Sequence, residues 1–116
     1  MGRRWVYFNQ KTIEAEFRAL PERDEAKLLA LMEHYREVSG NPSPAQIDSY
    51  GNGIYRLRHI KPSYSGRALF FIVDTKQGTE NLVVLAVYKK EGNKAPQTII
   101  ETARERMKNY KLENAE

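Results

Sequence analysis

Nine residues in the second half, Leu82-Val83-Val84-Leu85-Ala86-Val87-Tyr88-Lys89-Lys90, constrain the fold of this 116-residue chain more than any other stretch. A run of six apolar residues, rich in valine and leucine, describes a strand covered on both faces. It is too short to span a membrane. Its end carries a phenol and two ammonium groups, so a buried strand delivers Tyr88, Lys89 and Lys90 to the edge of the core. A basic helix follows. Such an arrangement suits phosphate better than a small apolar ligand.

The chain is long enough for one domain, residues 1–116, with a single core and no covalent staples. It contains no cysteine, which excludes disulfides and thiolate metal sites, and its two histidines are far apart in sequence. Met1-Gly2-Arg3-Arg4-Trp5 has no apolar run behind it, so no secretory signal is expected. Val6 stands where a myristoylation motif needs Ser or Thr. These features predict a cytoplasmic protein with no membrane partner and no metal.

Charge is unevenly placed. Residues 1–50 hold 7 Lys/Arg against 8 Asp/Glu, and residues 51–116 hold 12 against 7. A basic half points to a polyanionic partner.

Taken in order, Arg4 to Phe8 alternates and is mostly aromatic, which predicts a first strand. Asn9 or Thr12 can cap a short helix with Ile13, Phe17 and Leu20 on one face. Pro21 fits the first position of a second helix, whose first turn carries Glu22, Asp24 and Glu25. Leu28, Leu29, Met32, Tyr35 and Val38 supply its apolar stripe, His34 falls among its polar positions, and Gly40 ends it. From Gly51 the period changes to two. Between Ile54 and Ile60, Tyr55, Leu57 and His59 face one way while Arg56 and Arg58 face the other. A loop from Lys61 to Gly66 leads to a strand from Arg67 to Val73, and a hairpin over Asp74–Asn81 leads to the central strand. Pro96 opens the last helix, with Ile99, Ile100, Ala103, Met107 and Tyr110 on its apolar face and Arg104, Lys108 and Lys111 on another. The order describes an α+β fold: N-terminal strand, helical hairpin, antiparallel three-stranded meander and C-terminal helix. Arg56, Arg58, Lys61, Arg67, Lys89, Lys90 and Lys94 are expected near one edge of the meander. No Walker loop, dinucleotide fingerprint or nucleophile elbow is present, nor any paired-carboxylate or Ser-His-Asp signal.

Several stretches resemble the RelE/HigB-type toxins of bacterial toxin–antitoxin pairs, in particular their phage-derived branch. They are Gly53-Ile54-Tyr55-Arg56-Leu57-Arg58, Gly66-Arg67 leading into Leu69-Phe70-Phe71-Ile72-Val73-Asp74, Leu82–Lys90, Lys94-Ala95-Pro96, Ile99-Ile100, Ala103 and Arg106–Tyr110. Leu20-Pro21-Glu22 at the joint of the helix pair matches in kind. Here Arg56 stands where a glutamate is common, Ala95 replaces the usual threonine, and the loop from Ile60 to Gly66 looks longer.

The resemblance implies a metal-independent endoribonuclease that cleaves mRNA, commonly in the ribosomal A site, inhibits translation and is neutralised by a cognate helix-turn-helix antitoxin. A ribose 2′-hydroxyl attacks the adjacent phosphodiester. That chemistry needs a proton acceptor, cations for the charge building on phosphorus and a donor for the leaving oxygen. On this reading Arg58 and Arg67 stabilise phosphate, Lys89 and Lys90 donate charge or act as base, and His59 is a general acid or base. Tyr110 or Tyr88 stacks on a base or shuttles a proton, and Arg56, Lys61 and Lys94 bind RNA. Two alternatives stay open: a ParE-type gyrase inhibitor, and an inactive phage-derived RNA-binding protein.

Overall fold

The computed structural model describes residues 2–38 and 43–114. Strand β1 (Arg3–Tyr7) is followed by helices α1 (Gln10–Arg18) and α2 (Glu22–Glu37). Strands β2 (Ala45–Ser49), β3 (Tyr55–His59), β4 (Gly66–Asp74) and β5 (Glu80–Lys89) lead to helix α3 (Gln97–Glu113). The strands form one sheet in the order β1-β5-β4-β3-β2, with β1 parallel to β5 and every other pair antiparallel. The α+β class holds, with three helices and a five-stranded sheet.

Two features go beyond the expected strands. The meander has four strands rather than three, because Ala45–Ser49 pairs with Tyr55–His59. Gly51, Asn52 and Gly53 join them at φ values of 80°, 56° and 82°, a left-handed turn that glycine and asparagine adopt most readily. The first strand also lies against β5, which makes the apolar run an interior strand and accounts for the burial of Leu82 to Tyr88.

The sheet separates two cores. The α1/α2 side collects Ile13, Phe17, Leu20, Leu28, Leu31, Met32 and Tyr35 against Leu57, Ala68, Phe70, Leu82, Val84 and Val87. The α3 side collects Ala95, Ile100 and Ala103 against Ile54, Leu69, Phe71, Val83, Leu85 and Ala86, with Tyr88 at its margin. Leu85 and Ala86 are consecutive yet share a side because the β4–β5 register shifts between Leu69 and Phe70, a local bulge.

The helix signals resolve as follows. Asn9 is the cap of α1, its side chain accepting from the Thr12 N–H at 3.0 Å. Pro21 and Pro96 precede α2 and α3 as cap residues without a side-chain capping bond, one position earlier than expected for Pro21. On α2 Leu31 is buried while Leu29, like the cap residue Val38, is exposed, so the stripe turns slightly from the expected one. The expected stop at Gly40 lies outside the described residues. Among the described residues, no helix is long and apolar enough to cross a membrane.

Candidate active site

Alternation in β3 places Arg56 and Arg58 on the α3 side of the sheet, since Arg56 pairs with Leu69 of that core. Arg58 pairs with Arg67 across β3–β4, and Arg67 pairs with Tyr88 across β4–β5. Three guanidiniums and a phenol therefore share one face where three strands end. Opposite Arg56, β2 supplies Asp48. Arg56 donates to Asp48 Oδ2 from Nε at 3.0 Å and from Nη2 at 2.9 Å, and Arg58 donates from Nε at 2.9 Å. All three bonds converge on one oxygen. Among the described residues Asp48 Oδ1 receives no hydrogen bond.

The rest of the cluster fixes these groups in place. Arg56 also donates to the Asn93 carbonyl at 3.2 Å and, at 3.4 Å, to the Tyr88 hydroxyl, and its guanidinium lies 5.3 Å from the Tyr50 ring. Tyr50 OH accepts from the Ala95 N–H at 3.0 Å, so the segment between β5 and α3, which bears Lys94, is moored beside the arginines. Arg67 is only 3% exposed and donates to the Tyr64 and Gly66 carbonyls at 2.6 and 3.0 Å.

Electrostatics follow from this crowding. Burial alone would raise the Asp48 carboxyl, but the hydrogen bonds and charges of Arg58 and Arg56 overcome it and hold the group below the ordinary carboxylate range. Burial, then the charges of Arg56 and Arg58, lower Arg67 against the opposing pull of Tyr88 and Asp48. Burial raises Tyr88 above an ordinary phenol although Arg56 pulls the other way, so Tyr88 keeps its proton. That proton has no acceptor among the described residues. One carboxylate against three guanidiniums leaves an excess of positive charge and a free O–H donor. The chemical capacity is that of a tetrahedral or trigonal oxyanion site.

The other residues singled out from the sequence lie at the rim of this cluster or away from it. Lys89, which alternates with Tyr88, faces the α2 side, where its charge acts on Asp24. Lys90 is partly exposed just beyond β5, its N–H bonded to the Ser65 carbonyl at 2.7 Å. His59 is buried on the α2 side, its ring 4.7 Å from that of Tyr64. His59 Nδ1 accepts from the Lys61 N–H at 2.9 Å, which leaves the hydrogen of the neutral ring on Nε2. Burial, then the charges of Lys27, Lys61 and Arg67, lower its pKa. A histidine so placed donates through Nε2 but offers no lone pair for general-base work. Tyr110 packs edge-on against Phe71 at 5.7 Å and lines an apolar groove with Gly53 and Met107, apart from the arginines. Lys61 and Lys94 are exposed.

Asp48 is the member of this cluster that the pattern reading misses. Its signal is present: Gln46-Ile47-Asp48-Ser49 and Tyr55-Arg56-Leu57-Arg58 flank Gly51-Asn52-Gly53, and folding that hairpin sets Asp48 opposite Arg56.

Residues 15–108 match the family model described as phage derived protein Gp49-like. The chain is also similar to a protein from two strains of Mycobacterium tuberculosis named "Probable endoribonuclease HigB1". Each is 30% identical over 112 residues, which span 92% of this chain and 84% of the relative. With both matches covering most of its length, the chain belongs to the phage-derived Gp49-like family, in its HigB-type branch.

Proposed function

We propose that the chain is a single-domain toxin that cuts mRNA by attack of a ribose 2′-hydroxyl on the adjacent phosphodiester, the 2′ proton passing to solvent and the P–O5′ bond breaking to leave a 2′,3′-cyclic phosphate and a 5′-hydroxyl. The observation that carries this reading is the excess of three arginines over one carboxylate, on one face and beside a phenol whose proton is unused. Arg58, the partly exposed guanidinium, meets the charge that builds on the non-bridging oxygens, and the buried Arg56 and Arg67 add to the field behind it. Tyr88 donates to a phosphate or leaving oxygen, a role that its raised pKa suits because the phenol stays protonated. Lys90 and Lys94 add diffuse charge at the rim. The likeness to HigB1 supports the choice of RNA as substrate. A metal-independent route fits a site whose one carboxylate is already bonded to two guanidiniums. The protein acts in the cytoplasm on mRNA in the ribosomal A site, stops translation, and is neutralised by a cognate helix-turn-helix antitoxin.

The test is Arg58→Ala. Arg58 is partly exposed and its side chain makes one hydrogen bond among the described residues, so its loss opens no large cavity. Removing a preorganised donor from developing charge costs about 2–4 kcal/mol of transition-state stabilisation, a hundredfold or more in rate. Brief induction of the parent chain should produce new mRNA 5′ ends and halt protein synthesis, and Arg58→Ala should do neither while melting near the parent temperature. DNA breaks with intact mRNA would replace this reading with gyrase inhibition.

A further inference from the structure

The loop between β3 and β4 holds a second cationic surface, on the α2 side of the sheet, that the proposed chemistry does not use. At its centre is Tyr64, half-buried, with the Arg23 guanidinium 4.9 Å and the Lys27 ammonium 4.8 Å from its ring. Arg23 and Lys27 are four apart on α2 and so share a face. Lys61 and Lys89 are exposed at the same end of the sheet. Among the described residues none of these four cations has a carboxylate partner within ion-pair distance. The nearby acid, Asp24, is 6% exposed and accepts from the Ser65 N–H at 2.9 Å.

The loop is rigidly seated. Arg23 donates to the Ser63 carbonyl at 3.0 Å, Lys90 N–H to the Ser65 carbonyl at 2.7 Å, and Lys61 N–H to His59 Nδ1 at 2.9 Å. Gly66 lets α2 come close: a Cβ there would stand 3.3 Å from the Asp24 carbonyl oxygen. The Tyr64 carbonyl accepts from Arg67 at 2.6 Å, so this surface joins the arginine cluster around the end of the sheet.

An aromatic ring held among cations that have no ion-pair partner among the described residues, next to the arginine cluster, has the composition of a single-stranded nucleic-acid platform. We propose that Tyr64, with Arg23, Lys27 and Lys61, forms a subsite for an unpaired nucleotide flanking the scissile bond. The base contacts the exposed part of the Tyr64 ring, and its phosphates lie among the cations. This subsite rests on the reading of the arginine cluster as the phosphate site, but it is separately testable, because binding and cleavage can be measured on different RNAs.

The probe is a short fluorescent single strand with 2′-O-methyl sugars, which binds but cannot be cut by 2′ attack. Tyr64→Ala should weaken its binding about tenfold, within the range of one base–aromatic stack. Lys27→Gln with Lys61→Gln should weaken it too and flatten its salt dependence. A duplex of equal length should lose less on Tyr64→Ala than the single strand does. Parent affinity in both the tyrosine and the lysine variants overturns the subsite, and should Tyr64→Ala fail to fold, the lysine pair decides alone. Unchanged strand binding with loss of polyglutamate binding assigns the surface to an acidic protein and also overturns it. A parent chain that cuts no unmodified RNA, yet binds the methylated strand through Tyr64, leaves the subsite standing and removes the nuclease reading.

Discussion

At the scale of single residues, the position of a side chain on a pleated sheet decides which chemistry it can join. His59 and Arg58 are neighbours in sequence, yet one is sealed in the α2-side interface and the other faces the arginine cluster. His59 has a consequence for stability that can be checked. Its folded pKa lies below the ordinary value because burial and three nearby cations oppose its charge. In the unfolded chain it titrates at ~6.5. As pH falls from there toward the folded pKa, the unfolded state takes up a proton that the folded state does not, so stability is lost over that window and is fully present above it. Asp24 and Asp48, both depressed, act in the same direction but only below the unfolded carboxylate value of ~3.9. His59→Asn keeps an acceptor for the Lys61 N–H and removes the titration. Urea melts between pH 7 and pH 5 should therefore decline for the parent and flatten for His59→Asn; equal declines would show that His59 carries no such linkage.

At the scale of elements, the long apolar β5 and the amphipathic α2 and α3 are legible in sequence because each buries a pattern that has one solution. β2 is not, because Ala45–Ser49 is short and follows Pro42 and Pro44, so its strand character rests on the glycine turn after it. Missing β2 also hides Asp48, and with it the reason that Arg56 can be buried at all. The shared face of Arg56 and Arg58 is legible from alternation, whereas that of Arg67 follows only from the β3–β4 pairing, and the opposite faces of Lys89 and Tyr88 emerge only when alternation is carried to the end of β5. Arg106 illustrates what pattern cannot give. β1 pairs with β5 only as far as Val84, and beyond it the edge of β5 needs other partners. Arg106 of α3 donates to the Leu85 carbonyl at 2.8 Å and to Glu16 of α1 at 2.8 Å, while Glu16 accepts from the Val87 N–H at 2.8 Å. One ion pair thus satisfies the bulged edge and ties α1, β5 and α3 together. Arg106→Ala strands the Leu85 carbonyl and removes the ion pair of Glu16, and should cost roughly 1–3 kcal/mol. Arg104→Ala, on the exposed face of the same helix, should stay within about 0.5 kcal/mol. Leu85→Ala, at 0% exposure, should cost about 2–5 kcal/mol. Equal denaturation midpoints for the two arginine variants would remove the edge-clamp account.

At the scale of the whole molecule, the question is which of two basic regions an RNA strand meets. The outer face of α3 bears Arg104 and Lys108, but Glu101 and Glu105 are interspersed with them, so its field is largely cancelled at helical spacing. The end of the sheet is different: Arg56, Arg58 and Arg67 outnumber Asp48 on one side, and on the other, among the described residues, Arg23, Lys27, Lys61 and Lys89 have no carboxylate within ion-pair distance. The net charge of +4 is therefore displayed as a pole rather than spread evenly. Each phosphate neutralised on a single strand steepens the fall of log affinity against log salt by about 0.7. A strand that engages three or more phosphates at this pole should give a slope of about −2 or steeper. Arg58→Ala should flatten it by roughly 0.7, the loss of one phosphate contact, whereas Arg104→Ala with Lys108→Ala should leave it unchanged. Anisotropy titrations of the 2′-O-methyl strand across ionic strength measure all three slopes. If the α3 pair flattens the slope and Arg58 does not, the strand follows the helix, and the arginine cluster loses its claim to the phosphate.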